Sequence, residues 1–304
     1  SPSAPKLTLR CFRAAASGIM GGRSREAALI YNKSRLIKAA FLLEGEWAMA
    51  ADTYSLQALV LRKTKLGETD LIVTLLASDG RQVRAVAKGA RKPNSSFASR
   101  LEIFSEVDLL LVCGKSLDIV KEAKLLNAHI GVREDMEHAA AAAPIVDLLT
   151  RLTQPDLESP RLYDLSASAL EHAESADATG ALAVCAAFML KAFAFSGFRP
   201  SLNRCVMCGR PLASGDSRVQ VAFSPAEGGA VCRDCLMFSD TVQVGSDVLS
   251  WAHWLMMSTF DDIAQREVPR HISFEILHLC QAWVREHVGS KLKSLEFLFT
   301  CGLF

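Results

Sequence analysis

Two C-x-x-C pairs constrain this chain more than any other feature. Cys205-Val206-Met207-Cys208 and Cys232-Arg233-Asp234-Cys235 are separated by 23 residues. A tight C-x-x-C turn presents two thiolates to one ion, and two such turns complete a tetrahedron of sulfur around Zn²⁺. Gly209 suits the first turn. Val219–Phe223 and Gly228–Val231 read as two short strands of a zinc ribbon. A redox reading needs a C-x-x-C opening a helix after a strand, which neither pair does; chance proximity is the other alternative. Four sulfurs fill the shell and leave no open position for catalysis. The expected role of one structural Zn²⁺ is to stand in for the core that an insert of about 40 residues cannot build. Cys11, Cys113, Cys185, Cys280 and Cys301 are scattered in apolar surroundings, as expected of small hydrophobes. No stretch reads as a secretory signal, so a reducing, cytoplasmic setting is expected.

The chain has 304 residues, half of them apolar, and a net charge of +1. That excludes a disordered polyelectrolyte and leaves room for about two domains. Uncharged runs stop short of the about 18–20 apolar residues of a membrane span, so no membrane partner is expected. The small net charge hides an asymmetry: residues 1–48 carry +5, 49–128 carry +3, 129–200 carry −5 and 201–304 carry −2. The densest basic stretch holds Arg81, Arg84, Lys88, Arg91, Lys92 and Arg100 without an acid among them. Such a run is either a solvated loop or a phosphate-binding surface.

We read residues 1–48 as an extension, disordered or preceding a start at Met49. An organellar transit peptide is the alternative. From Tyr54 short strands follow one another. The first, through Leu56, Ala58 and Val60, ends at Arg62-Lys63; the others are Leu71–Leu76, Gln82–Ala87, Ile103–Val112 and Leu117–Ala123. Asp79-Gly80 marks a hairpin turn. Five strands with no interleaved helix predict an OB-fold barrel over 49–128. Residues 129–304 predict a helical bundle, with helices over 134–153, 161–174, 178–195, 248–260 and 273–288, and the zinc ribbon inserted at about 203–238. Pro144 is expected to start a second helix or kink the first. The whole is an α+β multidomain chain.

Enzymatic constellations are missing from the sequence. It contains no H-E-x-x-H, no G-x-x-x-x-G-K-[ST], no G-x-G-x-x-G and no G-x-S-x-G. The histidines read as surface or core residues.

These features converge on a family. Residues 54–298 resemble the RecO family of bacterial recombination mediators. The marks are Ala58-Leu59-Val60-Leu61, Gly67-Glu68-Thr69-Asp70 and Ala87-Lys88-Gly89-Ala90-Arg91. Later come Gly197-Phe198-Arg199-Pro200-Ser201-Leu202-Asn203-Arg204-Cys205, Phe223-Ser224-Pro225-Ala226-Glu227-Gly228-Gly229-Ala230-Val231-Cys232, His287-Val288-Gly289 and Leu292-Lys293-Ser294. The first 48 residues and Thr300–Phe304 depart from the pattern. The resemblance implies an OB-fold, a helical domain and, in some members, a zinc ribbon. It also implies binding of single- and double-stranded DNA, annealing of complementary strands, and loading of RecA onto SSB-coated DNA together with RecR.

Charge alone already favours binding over chemistry. A basic loop on a barrel neutralises phosphates and releases counterions, giving salt-sensitive binding with little sequence preference. Arg81, Arg84, Lys88, Arg91, Lys92 and Arg100 are assigned to phosphates, Lys88 and Arg91 first because they lie in the family motif. Phe97, inside the loop, is the candidate for base stacking. The acidic helical half is expected to pack and to dock protein, which by resemblance means RecR and the SSB C-terminal tail, with RecA engaged indirectly. The resemblance places such a protein in the bacterial cytoplasm, with the nucleoid. A protein-binding zinc-ribbon adaptor without annealing activity is the alternative function, and a zinc hydrolase a third.

Overall fold

The structure, a computed structural model, describes residues 52–212, 218–238 and 240–304. The expectation for residues 1–48 lies outside the described residues.

Five strands, β1 (Thr53–Leu66), β2 (Asp70–Ala77), β3 (Gln82–Ala87), β4 (Glu106–Val112) and β5 (Asp118–Asn127), close a barrel of the OB type in the order β1-β2-β3-β5-β4. Its seam is a short parallel pairing in which Ala85 faces Asp118 and Val86 faces Ile119. Residues of alternate parity, including Leu56, Ala58, Val60, Val73, Leu75, Ala85 and Leu109, fill the interior. Leu59, Leu61 and Leu76 point the other way and belong to the core of the helical half. The centres of β1 and β2 are therefore buried on both faces, which is why they read as unbroken apolar runs rather than as alternation.

β1 does not end at Arg62-Lys63. A bulge between Val60 and Arg62 shifts its register, and the strand runs on to Leu66 against β2, while its first half pairs with β4. The bulge puts Leu61 among the helices and sets Arg62 opposite Thr74. The fourth strand starts at Glu106 rather than Ile103, because Phe104 takes a left-handed φ of 73°. The segment between β3 and β4 is a chain of turns that plugs one end of the barrel with Ala90, Phe97 and Leu101.

The helical half is built from α1 (Ile130–Glu134), α2 (Met136–Leu152), α3 (Pro160–Ser175), α4 (Ala178–Phe195), α5 (Ser246–Met257), α6 (Phe260–Ala264), α7 (Arg270–His287) and α8 (Lys293–Thr300). α2 is one continuous helix with Pro144 inside it, so Pro144 begins no second helix, and its ring is buried. α4 has the length and hydropathy of a membrane span, yet 67% of it is buried in this chain, as befits the central helix of a bundle. Between α4 and α5 lies a three-stranded sheet in the order β7-β6-β8, made of β6 (Gln220–Ser224), β7 (Gly229–Val231) and β8 (Val242–Gly245). Phe223 and Ala230 turn one face of this sheet into the helical core, and Phe223 meets Trp283 with ring centroids 5.8 Å apart.

Barrel and bundle are locked together. The β2–β3 turn docks on the α2–α3 connection, where Ser159 N–H donates to the Asp79 carbonyl at 2.9 Å and Gln82 N–H to the Gln154 carbonyl at 3.0 Å. Gly80 is required there, because with φ of 87° a Cβ would lie 2.2 Å from the Ser159 carbonyl. His129, just after β5, is buried between Glu106 of β4 and Glu174 of α3.

Candidate nucleic-acid interface and metal centre

The basic stretch of the sequence is not one surface in space. Arg81 and Lys88 flank β3 at its two ends, about 23 Å apart at the rise of a strand. Arg81 sits at the turn docked on the helical half and is paired with Asp79 at 2.7 Å. Arg84 lies mid-strand on the barrel's outer wall, exposed and facing the helices. Arg100 donates to the Ala123 carbonyl of β5 at 2.9 Å, and Phe97 packs against the barrel interior as part of the plug. Lys88, Arg91 and Lys92 lie together where the chain leaves β3.

At that end two of the sequence motifs meet. Gly89 N–H donates to Asp70 Oδ1 at 2.8 Å, and Arg91 N–H donates to the Thr69 carbonyl at 2.9 Å. The Arg91 guanidinium reaches the carbonyls of Gly67 at 3.0 Å and Glu68 at 2.8 Å. The Gly89 N–H and the Thr69 hydroxyl hold the Asp70 carboxyl below its ordinary range. Gly67-Glu68-Thr69-Asp70 and Lys88-Gly89-Ala90-Arg91 therefore form a latch between the β1–β2 turn and the loop after β3. Arg91 commits its backbone N–H and Nη1 to that latch, while the side chains of Lys88 and Lys92, both exposed, make no hydrogen bond among the described residues. Sequence spacing could not separate these roles, since the partners of Arg91 lie some two dozen positions upstream.

The four cysteines do meet. Their sulfurs all lie within 4.8 Å of one another, with Cys208 and Cys232 at 3.7 Å. A tetrahedron with metal–sulfur bonds of about 2.3 Å requires sulfurs about 3.8 Å apart, so the donor set fits a single ion. The first knuckle is closed by Gly209 N–H to the Cys205 carbonyl at 2.8 Å, and Gly209 has φ of 73°. Cys232 N–H donates to Cys205 Sγ at 3.3 Å. Against the upward push of burial, the N–H groups of Cys232, Cys208 and Met207 draw the Cys205 thiol down to about 6. Hydrogen bonding to Cys232 leads the effects that push Cys235 up to about 12. Four sulfurs this close ionise together only around a cation. The module's own core is Cys205, Ala222, Val231 and Cys232, so half of its buried residues are thiol ligands. Arg210 pairs with Asp234 across the two knuckles.

The sequence matches known proteins along most of its length. Residues 49–129 match the family described as Recombination protein O N terminal, and residues 133–296 match Recombination protein O C terminal. The chain belongs to the RecO family. It is similar to the DNA repair protein RecO of Cutibacterium acnes, 34% identical over 81% of this chain and 98% of that protein. It is also similar to DNA repair protein RecO of Desulfitobacterium hafniense, 32% identical over 79% and 87% of the two chains, and to that of Rubrobacter xylanophilus, 36% identical over 60% and 71%. RecO is a DNA repair and recombination protein and a mediator rather than an enzyme.

Proposed function

We propose that this RecO protein binds single- and double-stranded DNA through its barrel, anneals complementary strands, and helps to load RecA onto SSB-coated DNA. The observation that carries this reading is the end of the barrel where the latch of Asp70, Gly89 and Arg91 fixes a loop that leaves Lys88 and Lys92 exposed. Two exposed ammonium groups on a rigid loop attract phosphates at little ordering cost, and base edges stay free to pair. Arg91 serves this surface by positioning the loop. Arg84 extends it along the outer wall. Arg81, Arg100 and Phe97 contribute through the turns they anchor, since each already has an intramolecular partner. With the stacking ring committed to the barrel plug, binding rests on backbone charge and is tolerant of sequence.

We take residues 49–128 as the DNA-binding domain and 129–304 as the helical domain, which docks RecR and the SSB C-terminal tail, with the insert at about 203–238 held by one Zn²⁺ on Cys205, Cys208, Cys232 and Cys235. The preference for zinc follows from an all-thiolate tetrahedral donor set. The protein works in the bacterial cytoplasm. The test is strand annealing between complementary labelled oligonucleotides with the purified chain. Acceleration that falls steeply with added salt is expected, and K88A/K92A lowers it severalfold. No acceleration at low salt overturns the reading.

A further inference from the structure

A concavity of about 820 Å³ between barrel and bundle is lined by cations from both halves. On the barrel side Arg62, Thr74 and Arg84 are direct cross-strand neighbours on β1, β2 and β3, so they form one row on the outer wall. The two arginine backbones in such a row lie about 10 Å apart. Opposite them stand Thr150 and Arg151 of α2, and Lys293 and Ser294 at the start of α8.

Charge in this groove is unbalanced. Asp147 is the acid lining it, and its carboxylate is already engaged with Arg151 at 3.3 Å and with the N–H and hydroxyl of Ser294 at 3.2 and 2.9 Å. Arg62, Arg84 and Lys293 are exposed, and among the described residues none has a carboxylate in salt-bridge range. Three cations converging on a concave, hydroxyl-lined wall cost self-repulsion and focus a positive potential on the cleft. A polyanion relieves that cost. The groove also leads toward the barrel end: Arg84 lies on β3, and Lys88 follows the strand's last residue, about 13 Å on at the rise of a strand.

Building on the DNA-binding reading above, we propose that the sugar–phosphate backbone runs from Lys88 and Lys92 along the outer wall of β3 into this groove, where Arg62, Arg84 and Lys293 neutralise it. The helical half, acidic overall, then supplies one wall of the nucleic-acid site through Lys293. A continuous run of phosphates is favoured over an acidic peptide because the cations form a track across two faces rather than a single pocket.

The experiment is fluorescence anisotropy of a labelled thirty-residue oligo-dT on the full chain, from low to moderate salt. With R62Q/K293Q the affinity is expected to fall about tenfold, and the log–log salt slope to become shallower by about 1.4, two single-strand contacts. K293Q alone, at an exposed helix start, gives about half that slope change and serves if the double variant misfolds. If K88Q/K92Q weakens binding while R62Q/K293Q changes neither affinity nor slope, the groove proposal falls and the barrel-end reading stands. If the unaltered chain ignores the oligonucleotide at low salt, the parent reading falls. If R62Q/K293Q loses only the capture of a labelled oligo-aspartate peptide, the groove is a protein site and the proposal is overturned.

Discussion

His129 Nε2 lies 3.0 Å from Glu106 Oε1, with the imidazole fully enclosed where the barrel hands over to the helices. The other ring nitrogen faces Glu174 Oε2 at 3.1 Å, and the Tyr163 hydroxyl donates to Glu106. Each ring nitrogen thus faces one carboxylate oxygen, so a single imidazole ties β4 to α3. H129A removes the common partner of two partly buried acids. We expect a loss of about 2–3 kcal/mol in urea unfolding, less than for a wholly buried pair because both glutamates retain some water. A loss below about 0.5 kcal/mol would show that the ring only fills space.

Stability should fall on both sides of mild acidity, for opposite reasons. The His129 hydrogen bond holds the Glu106 carboxyl below its ordinary 4.5, against the upward push of its own burial, so its contribution is present above that pH and is lost as pH falls through the lowered folded value. His138 works the other way. Burial pushes its imidazole down, but the Ala176 carbonyl and the Asp135 carboxylate hold it above 6.5 overall. That contribution is complete below 6.5 and disappears as pH rises through the raised folded value. Urea midpoints across pH 2 to 9 should trace the dome, and H138Q should flatten its alkaline limb.

Arg91 and Lys88 separate structure from binding. R91A loses two hydrogen bonds to carbonyls and should cost about 1–2 kcal/mol in thermal or urea unfolding. K88A should leave the melting temperature within a degree and make the salt dependence of oligonucleotide binding shallower by about one unit. Equal effects of the two substitutions on stability would refute the latch.

The cysteine module depends on its ion. One equivalent of zinc per chain is expected by elemental analysis, and C208S, at the exposed corner of the cluster, should abolish it. Hydrogen exchange should then rise over residues 203–238 while the barrel keeps its protection. A metal-free C208S whose module exchanges as slowly as the parent would mean that packing onto Trp283 suffices.

What the sequence disclosed, and what it hid, divides by the range of the interactions concerned. The cysteine knuckles, the barrel strands and α4 were legible because spacing, alternation and apolar runs are local signals. α8 and β8 escaped: α8 is eight residues long and held by Asp147, 147 positions away from Ser294, and β8 exists only as an edge against β6. The basic run is spread along the barrel for a geometric reason. Neighbours along an extended strand move apart by about 3.3 Å per residue, so Arg81 and Lys88 are close in the chain and distant in the fold. Conversely Arg62 and Arg84, far apart in sequence, are brought into one row by the pairing of both with Thr74.

The double pairing of β1 has a consequence for synthesis. β1 gives its second half to β2 and its first half to β4, and β3 finds its other neighbour only in β5. While a ribosome is still short of Asp118, β3 carries an open edge, and nothing local can cover it. Closure waits for translation to pass Asn127, and the enclosure of His129 waits longer, for Glu174. A nascent chain stalled between Asn127 and Gln154 carries a complete cylinder whose outward Leu59, Leu61 and Leu76 still await the helices that cover them, which makes that interval the period when a holdase would be most useful.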